Sequence, residues 1–297
     1  MSRFILQLAI ALSLLASGVG AAESKVAHPF LCADTRTGSV MKVDRHGQVV
    51  WSYSVPQVHD VWGLKNGNVL LASIKQGVQI VSPDKKVLWH YQPGKKQHCY
   101  SCQPLPNGDV LVGISGKPNR VVEVNREGLV TKTIEVNATG AIRLVRKTKS
   151  GNYVVAARSE KKVQVYDASG ALIREIAVPG VYHAVELDNG NILVGCMDAH
   201  QVLEIDPNDT IVWQVDEDEL PGIPLRTVGG LQRLPNGNTV IINYAGADYI
   251  GQQPQIIEVT PDKEVVWQVF DNEQLCTPAH VQLLDIPGDA AAGELYR

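Results

Sequence analysis

Five Asn-Gly or Ser-Gly pairs, each opening into an apolar run, constrain this chain more than any other feature. The segment Asn66-Gly67-Asn68-Val69-Leu70-Leu71 recurs as Asn107-Gly108-Asp109-Val110-Leu111-Val112, Ser150-Gly151-Asn152-Tyr153-Val154-Val155, Asn189-Gly190-Asn191-Ile192-Leu193-Val194 and Asn236-Gly237-Asn238-Thr239-Val240-Ile241. A glycine there supplies the positive φ of a tight turn, so each copy reads as a hairpin feeding a strand. Two more landmarks travel with it. One is an apolar strand ending in a small polar residue, at Val43-Asp44, Val81-Ser82, Val124-Asn125, Tyr166-Asp167, Ile205-Asp206 and Val259-Thr260. The other is a following strand with Trp51, Trp89, Trp213 and Trp267 in matching places and Lys132 and Arg174 in the remaining two copies. Together they define a unit of four short strands.

The later strands occur six times, but only five copies of the first inner strand precede them. Ala279-His280-Val281-Gln282-Leu283-Leu284 matches Gly229-Gly230-Leu231-Gln232-Arg233-Leu234, so the tail supplies the missing strand. The expected fold is all-β, a six-bladed β-propeller whose C-terminal strand completes the N-terminal blade. Closure of this kind removes open sheet edges. Blade 1 is predicted at 30–55 plus 279–284, and the others at 60–92, 98–136, 142–178, 181–215 and 226–270. A parallel β-helix also repeats strands, but its repeats are shorter and need no such complementation. The four matching Trp are expected to pack between blades.

Residues 1–22 have the layout of a cleavable secretory signal, with Arg3, an apolar run from Phe4 to Ala16 and a small-residue stretch ending at Ala22. The run is shorter than the roughly 20 residues that span a bilayer core. The expected product is residues 23–297 as a single propeller domain, periplasmic or secreted, monomeric and without a membrane contact after cleavage. Loss of Arg3 takes the formal charge from −4 to −5. That balance excludes nucleic acid and anionic membranes as expected partners, since both call for clustered Lys and Arg.

The turn Leu234-Pro235-Asn236-Gly237-Asn238, its near copy Leu105-Pro106-Asn107-Gly108-Asp109 and the outer strand Val265-Val266-Trp267 resemble those of bacterial secreted propellers of the quinoprotein-like and arylsulfotransferase-like kind, with their PQQ-like repeats. The resemblance covers the mature chain and implies the architecture. The quinoprotein docking motif is echoed once, at Asp34-Thr35-Arg36-Thr37-Gly38, without its closing Trp, so pyrroloquinoline quinone is not the expected cofactor. Arylsulfotransferases of this kind use a channel histidine as nucleophile, a role the resemblance offers to His59, His98, His183 or His280.

The loops entering the inner strands gather on one face of a propeller, opposite the Asn-Gly turns. Counting back from those turns places His59 with Asp60, His98, His183 and His280 on that rim, in blades 2, 3, 5 and 1. The same face receives the insertions 216–228 and 245–255. Residues held on loops by a rigid scaffold are where function concentrates. Converging histidines suit a divalent metal held by His59, His98, His183 and His280, or general acid–base work, or plain hydrogen bonding. Arg143 and Arg226 stand at comparable entries and suit an anionic ligand. Cys99 and Cys102 have CxxC spacing without a following His. A turn before the strand is expected to hold Cys99, allowing a disulfide with Cys102 or Cys276. Cys32 and Cys196 read as buried apolar residues. Two functional classes follow. One is a binding or scaffold propeller that recognises a small molecule, glycan or protein at the channel mouth. The alternative is an enzyme with rim histidines, either a metal-assisted lyase or hydrolase or an arylsulfotransferase-like transferase.

Overall fold

The computed structural model describes residues 27–297 apart from Ala245 and Ala247; the expected signal segment 1–22 lies outside the described residues. Six antiparallel sheets of four strands form the ring. The first sheet joins Phe30–Asp34, Ser39–Val43 and Val49–Ser54 to the closing strand Pro278–Leu283, which pairs with Phe30–Asp34 through Phe30↔Leu283 and Cys32↔Val281. The predicted six-bladed propeller and its closure are thus observed. The remaining inner strands are Val58–Gly63, His98–Pro104, Val145–Lys147, Val181–Glu186 and Thr227–Arg233.

The turns form as their chemistry requires. Gly67, Gly108, Gly151, Gly190 and Gly237 all have φ between 80° and 92°. In four of the five, the Asn side chain accepts the N–H two residues on, as Asn66 does from Asn68 at 3.1 Å.

A blade is apolar on both faces, so each face must pack against a neighbour. The core divides accordingly into six clusters, each joining two adjacent blades. Trp62, Leu70 and Val78 of blade 2 meet Val112, Ile114 and Val122 of blade 3, for example. The Trp positions act at the periphery of these interfaces. Trp51 Nε1 donates to Pro83 O at 2.8 Å, Trp89 to Asn125 O at 3.0 Å and Trp213 to Pro261 O at 2.8 Å, each in the following blade. Lys132 and Arg174 reach Ala168 O and Asp206 O in the same manner, both at 2.5 Å. A long cationic side chain can therefore stand in for Trp, because the position needs a donor with reach as well as apolar area.

The outer strands are true sheet edges. In all six the pairing with the third strand slips by one residue, at Lys42/Val43 in blade 1 and its equivalents. A bulge of this kind twists an edge away from foreign strands.

Closure has its own polar clasp. Asp34 accepts the N–H groups of Arg36 and Thr37 with Oδ1 and those of Cys276 and Thr277 with Oδ2, at 2.8–3.1 Å. The Asp-Thr-Arg-Thr-Gly echo is therefore a turn that grips the closing strand. His28, 9% exposed, lies between Glu258 of blade 6 at 3.0 Å and Asp285 at 2.9 Å, edge-on to Trp267 with ring centroids 5.0 Å apart. Bonds from both ring nitrogens to carboxylates require the imidazolium. Burial pushes His28 down, but the hydrogen bonds and charges of Glu258 and Asp285 outweigh it and hold the pKa above its ordinary value.

A raised histidine pKa adds stability in full below the unfolded value of about 6.5 and loses it as pH rises through the native value. The melting temperature of the wild type is expected to fall between pH 6 and pH 9 relative to that of His28→Gln, by about 2–4 °C for each kcal/mol contributed. Parallel curves for the two proteins across that range, measured by differential scanning calorimetry, would remove this role.

Candidate functional site at the channel mouth

Aligned on their pairing to the second strands, the inner segments read Val58 to Gly63, Cys99 to Pro104, Ile142 to Lys147, Val181 to Glu186, Val228 to Arg233 and Pro278 to Leu283. The second position holds His59, Tyr100, Arg143, Tyr182, Gly229 and Ala279. Register slips pass over it in the five blades other than blade 4, where irregular backbone precedes the regular pairing at Val145. These residues face the mouth. The third position holds Asp60, Ser101, Leu144, His183, Gly230 and His280, and the fifth holds Trp62, Gln103, Arg146, Val185, Gln232 and Gln282.

The third and fifth positions stitch blade to blade. Asp60 Oδ2 accepts Cys102 N–H at 3.1 Å and His183 Nδ1 accepts Leu231 N–H at 2.8 Å. Gln282 accepts Gly63 N–H at 2.8 Å, Gln232 accepts Leu283 N–H at 3.1 Å and Gln103 accepts Lys147 N–H at 2.8 Å. Arg146 departs from this pattern and turns into the channel. Its guanidinium meets both Asp60 oxygens, at 2.8 and 3.1 Å, and its Nε donates to the Arg297 main-chain oxygen. Arg297 arrives from the opposite face, where the segment after Leu283 crosses the Asn-Gly turns and is tied down by Lys65–Asp289 and by Lys149 on the Tyr296 hydroxyl. It is fully buried, stacks 4.2 Å over Trp62 and donates to His280 Nδ1 at 2.6 Å. Burial, aided by Arg146 and opposed by Asp60, pushes its pKa down to about 9.

That bond puts the His280 proton on Nε2, so the 3.3 Å approach of Arg146 is a contact between two donors. Burial first, then the charges of Arg146 and Arg297, hold His183 and His280 well below the ordinary histidine value, and both are neutral. Gly230 is required beside them, since a Cβ there would lie 2.4 Å from the His280 ring. The channel is thus filled by a buried polar layer.

Above it lies the mouth. His59 Nδ1 and the Tyr182 hydroxyl are 2.9 Å apart, joining blades 2 and 5 across the channel. The Tyr100 ring is 5.0 Å from His59, and the Arg143 guanidinium lies 4.0 Å over Tyr100. Burial, then the charge of Arg143, lowers the His59 pKa to about 3, and burial pushes the Tyr182 phenol up. Both are neutral across the physiological range. Blades 6 and 1 contribute only Gly229 and Ala279 at this level.

The structure sorts the expected rim residues into separate groups. His59 and Arg143 share the mouth, Asp60, His183 and His280 lie in the buried layer, and His98 is exposed outside both. Arg226 is engaged with Glu217 and stacks on Tyr249. The four-histidine metal set is not assembled, and among the described residues no group of three or more His, Cys, Asp or Glu is placed to hold a metal ion. The disulfide expectation also needs correction. All five cysteines are free thiols, and Cys99 and Cys102 both lie on the strand rather than in a turn before it. The slip between Cys99 and Ser101 puts the two on one face, in the core between blades 2 and 3, where burial raises the Cys99 pKa to about 12. Cys276 sits apart, donating its N–H to Asp34. Cys32 and Cys196 are buried apolar residues, as read from the sequence. Tyr100, Tyr182, Arg146, Arg297 and His28 escaped the sequence reading. Aligning the inner segments one against another would have exposed the first three, since Tyr100 and Tyr182 fall beside His59, and Arg146 beside Gln103 and Gln282.

Removing one partner of a buried ion pair strands the other charge, at a cost of about 3–5 kcal/mol. Asp60→Ala is expected to destabilise by that order in chemical denaturation, and Asp60→Leu combined with Arg146→Met to recover much of it. Equal losses in the single and double variants would show that the pair is not the source.

A family model described as Mal s 1 allergenic protein-like matches residues 38–243. No curated protein has significant similarity in sequence. Among solved structures, a protein of unknown function from Bacteroides caccae is similar with 25% identity, TM-score 0.78, and coverage of 86% of this chain and 98% of that one. A catalytically inactive histidine-to-alanine variant of virginiamycin B lyase from Staphylococcus aureus, with quinupristin, is similar at 11% identity and TM-score 0.59, covering 85% and 87%. The WD40 β-propeller domain of Doa1 follows at 14% and 0.58, covering 71% and 70%. The last two likenesses show the fold alone, and the finer quinoprotein-like or arylsulfotransferase-like kinship does not follow from any of these matches. With a family model spanning most of the ring, the chain belongs to the Mal s 1 allergenic protein-like family.

Proposed function

We propose that the protein is a binding propeller that takes a small molecule at the channel mouth. The observation that carries this reading is the His59–Tyr182 hydrogen bond across the channel. With both groups neutral, the pair holds two protons and its bond uses one, so either tautomer leaves one donor aimed elsewhere. Tyr100 and Arg143 add an aromatic face and a cation beside it. Rigid aromatic groups with a few convergent polar atoms are the usual lining of a small-molecule site. Export through residues 1–22 belongs to the same reading and places the ligand outside the cytoplasm; the mass of the mature protein tests cleavage after Ala22.

An acid–base enzyme is the second reading, favoured by the same His59–Tyr182 pair, in which a neutral imidazole sits against a phenol. The virginiamycin B lyase likeness adds that a propeller of this overall shape can carry a histidine-dependent reaction.

A thermal-shift screen of small metabolites is expected to find ligands that His59→Ala and Tyr182→Phe weaken by at least about tenfold, or 1.4 kcal/mol. Because His59 loses its proton near pH 3, affinity is expected to stay level from pH 5 to pH 8. An inflection near pH 6.5, or ligands indifferent to both substitutions, would move the site elsewhere. Turnover of a bound ligand, abolished by His59→Ala, would select the enzyme reading.

A further inference from the structure

The sequence treats Arg143 and Arg226 alike, as cations at inner-strand entries. Their surroundings separate them. Arg226 is ion-paired with Glu217, and Arg158, another cation of this face, is paired with Asp198 at 3.1 Å. Among the described residues Arg143 has no carboxylate within ion-pair distance. Its guanidinium carbon lies 4.0 Å from the centroid of the Tyr100 ring, and its Nη1 is buried without an acceptor. A buried N–H donor in a folded protein is normally bonded, so an unmet one at a mouth points to a partner from outside.

We propose that Arg143 is the docking point of a carboxylate group on the small molecule bound at the mouth. This rests on the binding reading above and names the class of ligand. The contact with Tyr100 holds the guanidinium in place, and its unmet Nη1 suits a planar, two-oxygen acceptor, the geometry that arginine matches and lysine does not. The unused donor of the His59–Tyr182 pair lies on the same rim. Arg143 brings one unpaired positive charge to the His59–Tyr182 level, which balances a monoanion, while Arg226 and Arg158 of the same face are paired with Glu217 and Asp198.

The test is calorimetric titration of the full chain with matched probes, a panel of aryl and alkyl carboxylates beginning with benzoate and hexanoate, each against its own amide. At least one carboxylate is expected to bind wild-type protein tenfold or more tighter than its amide. Arg143→Met is expected to lose that preference and Arg143→Lys to keep part of it, with circular dichroism and melting confirming that both variants fold. A second readout follows the His59 ring by NMR. The charge of Arg143 helps hold that imidazole low, so a bound carboxylate should raise its titration midpoint in wild type and leave it unmoved in Arg143→Met. If carboxylates and amides bind equally well, or if the preference survives Arg143→Met, the carboxylate assignment falls while a small-molecule site at the mouth stands. If no small molecule of any kind binds wild-type protein, both readings fall together.

Discussion

The inner strand of each blade is an edge strand facing the channel, and the rest of the structure depends on how its unpaired backbone groups are met. Among the described residues backbone pairing on that side is sparse, with a bridge from Arg233 to Tyr296 and a bond from Leu144 N–H to Tyr182 O. Instead the N–H groups of Gly63, Cys102, Lys147, Leu231 and Leu283 are accepted by side chains of the adjoining blade, namely Gln282, Asp60, Gln103, His183 and Gln232. An unsatisfied buried donor costs about 1–3 kcal/mol, so five of them would consume much of a domain's net stability. This requirement explains why apolar inner strands carry polar residues at two recurrent places. It also explains why Asp60 and His183 are buried, since the acceptor must reach into the interface to find its N–H.

The same requirement confines chemistry to the mouth. The polar side chains at the third and fifth positions, Ser101 apart, are committed to the neighbouring blade or to the Asp60–Arg146–Arg297 layer that fills the channel, and His183 and His280 are neutral parts of that fabric. In five blades the second position lies where the pairing slips, and in blade 4 it precedes the regular pairing, so its side chains are left to line the mouth. His59, Tyr100, Arg143 and Tyr182 occupy it on one side of the ring, while Gly229 and Ala279 leave the other side small. Resemblance to propellers with other activities fits this division. The blades specify the scaffold, and the slipped positions specify what the scaffold meets.

Closure concentrates long-range polar contacts in a small region. Asp34 clasps both its own turn and the start of the closing strand, and His28 joins blade 6 to the segment that follows that strand. That segment carries Arg297 back beneath Trp62 and His280, so the strand that completes blade 1 also leads into the floor of the channel.

Much of the architecture was legible in the residues alone. The Asn-Gly turns, the Trp, Lys and Arg row and the match of residues 279–284 to an inner strand follow from backbone conformation and from alternating apolar faces, which are local properties repeated along the chain. The gathering of His59, Arg143, His183 and His280 toward one channel was legible too, from the position of each relative to its turn. Their roles were not. One residue slipped from the ladder sends His59 to the mouth while Asp60 beside it is buried, and the same slip between Cys99 and Ser101 places Cys99 and Cys102 on one face where an unbroken strand would divide them. Whether Arg143 or Arg226 is free depends on Glu217, from the same insertion as Arg226, and on Tyr249 from the insertion 245–255, and the neutrality of His183 and His280 depends on burial and on guanidinium groups delivered by Arg146 and by the distant Arg297. Sequence determined the ring and its closure because periodicity encodes them. Charge state, pairing and access were decided only by tertiary structure, because they are set by neighbours that the chain supplies from other blades.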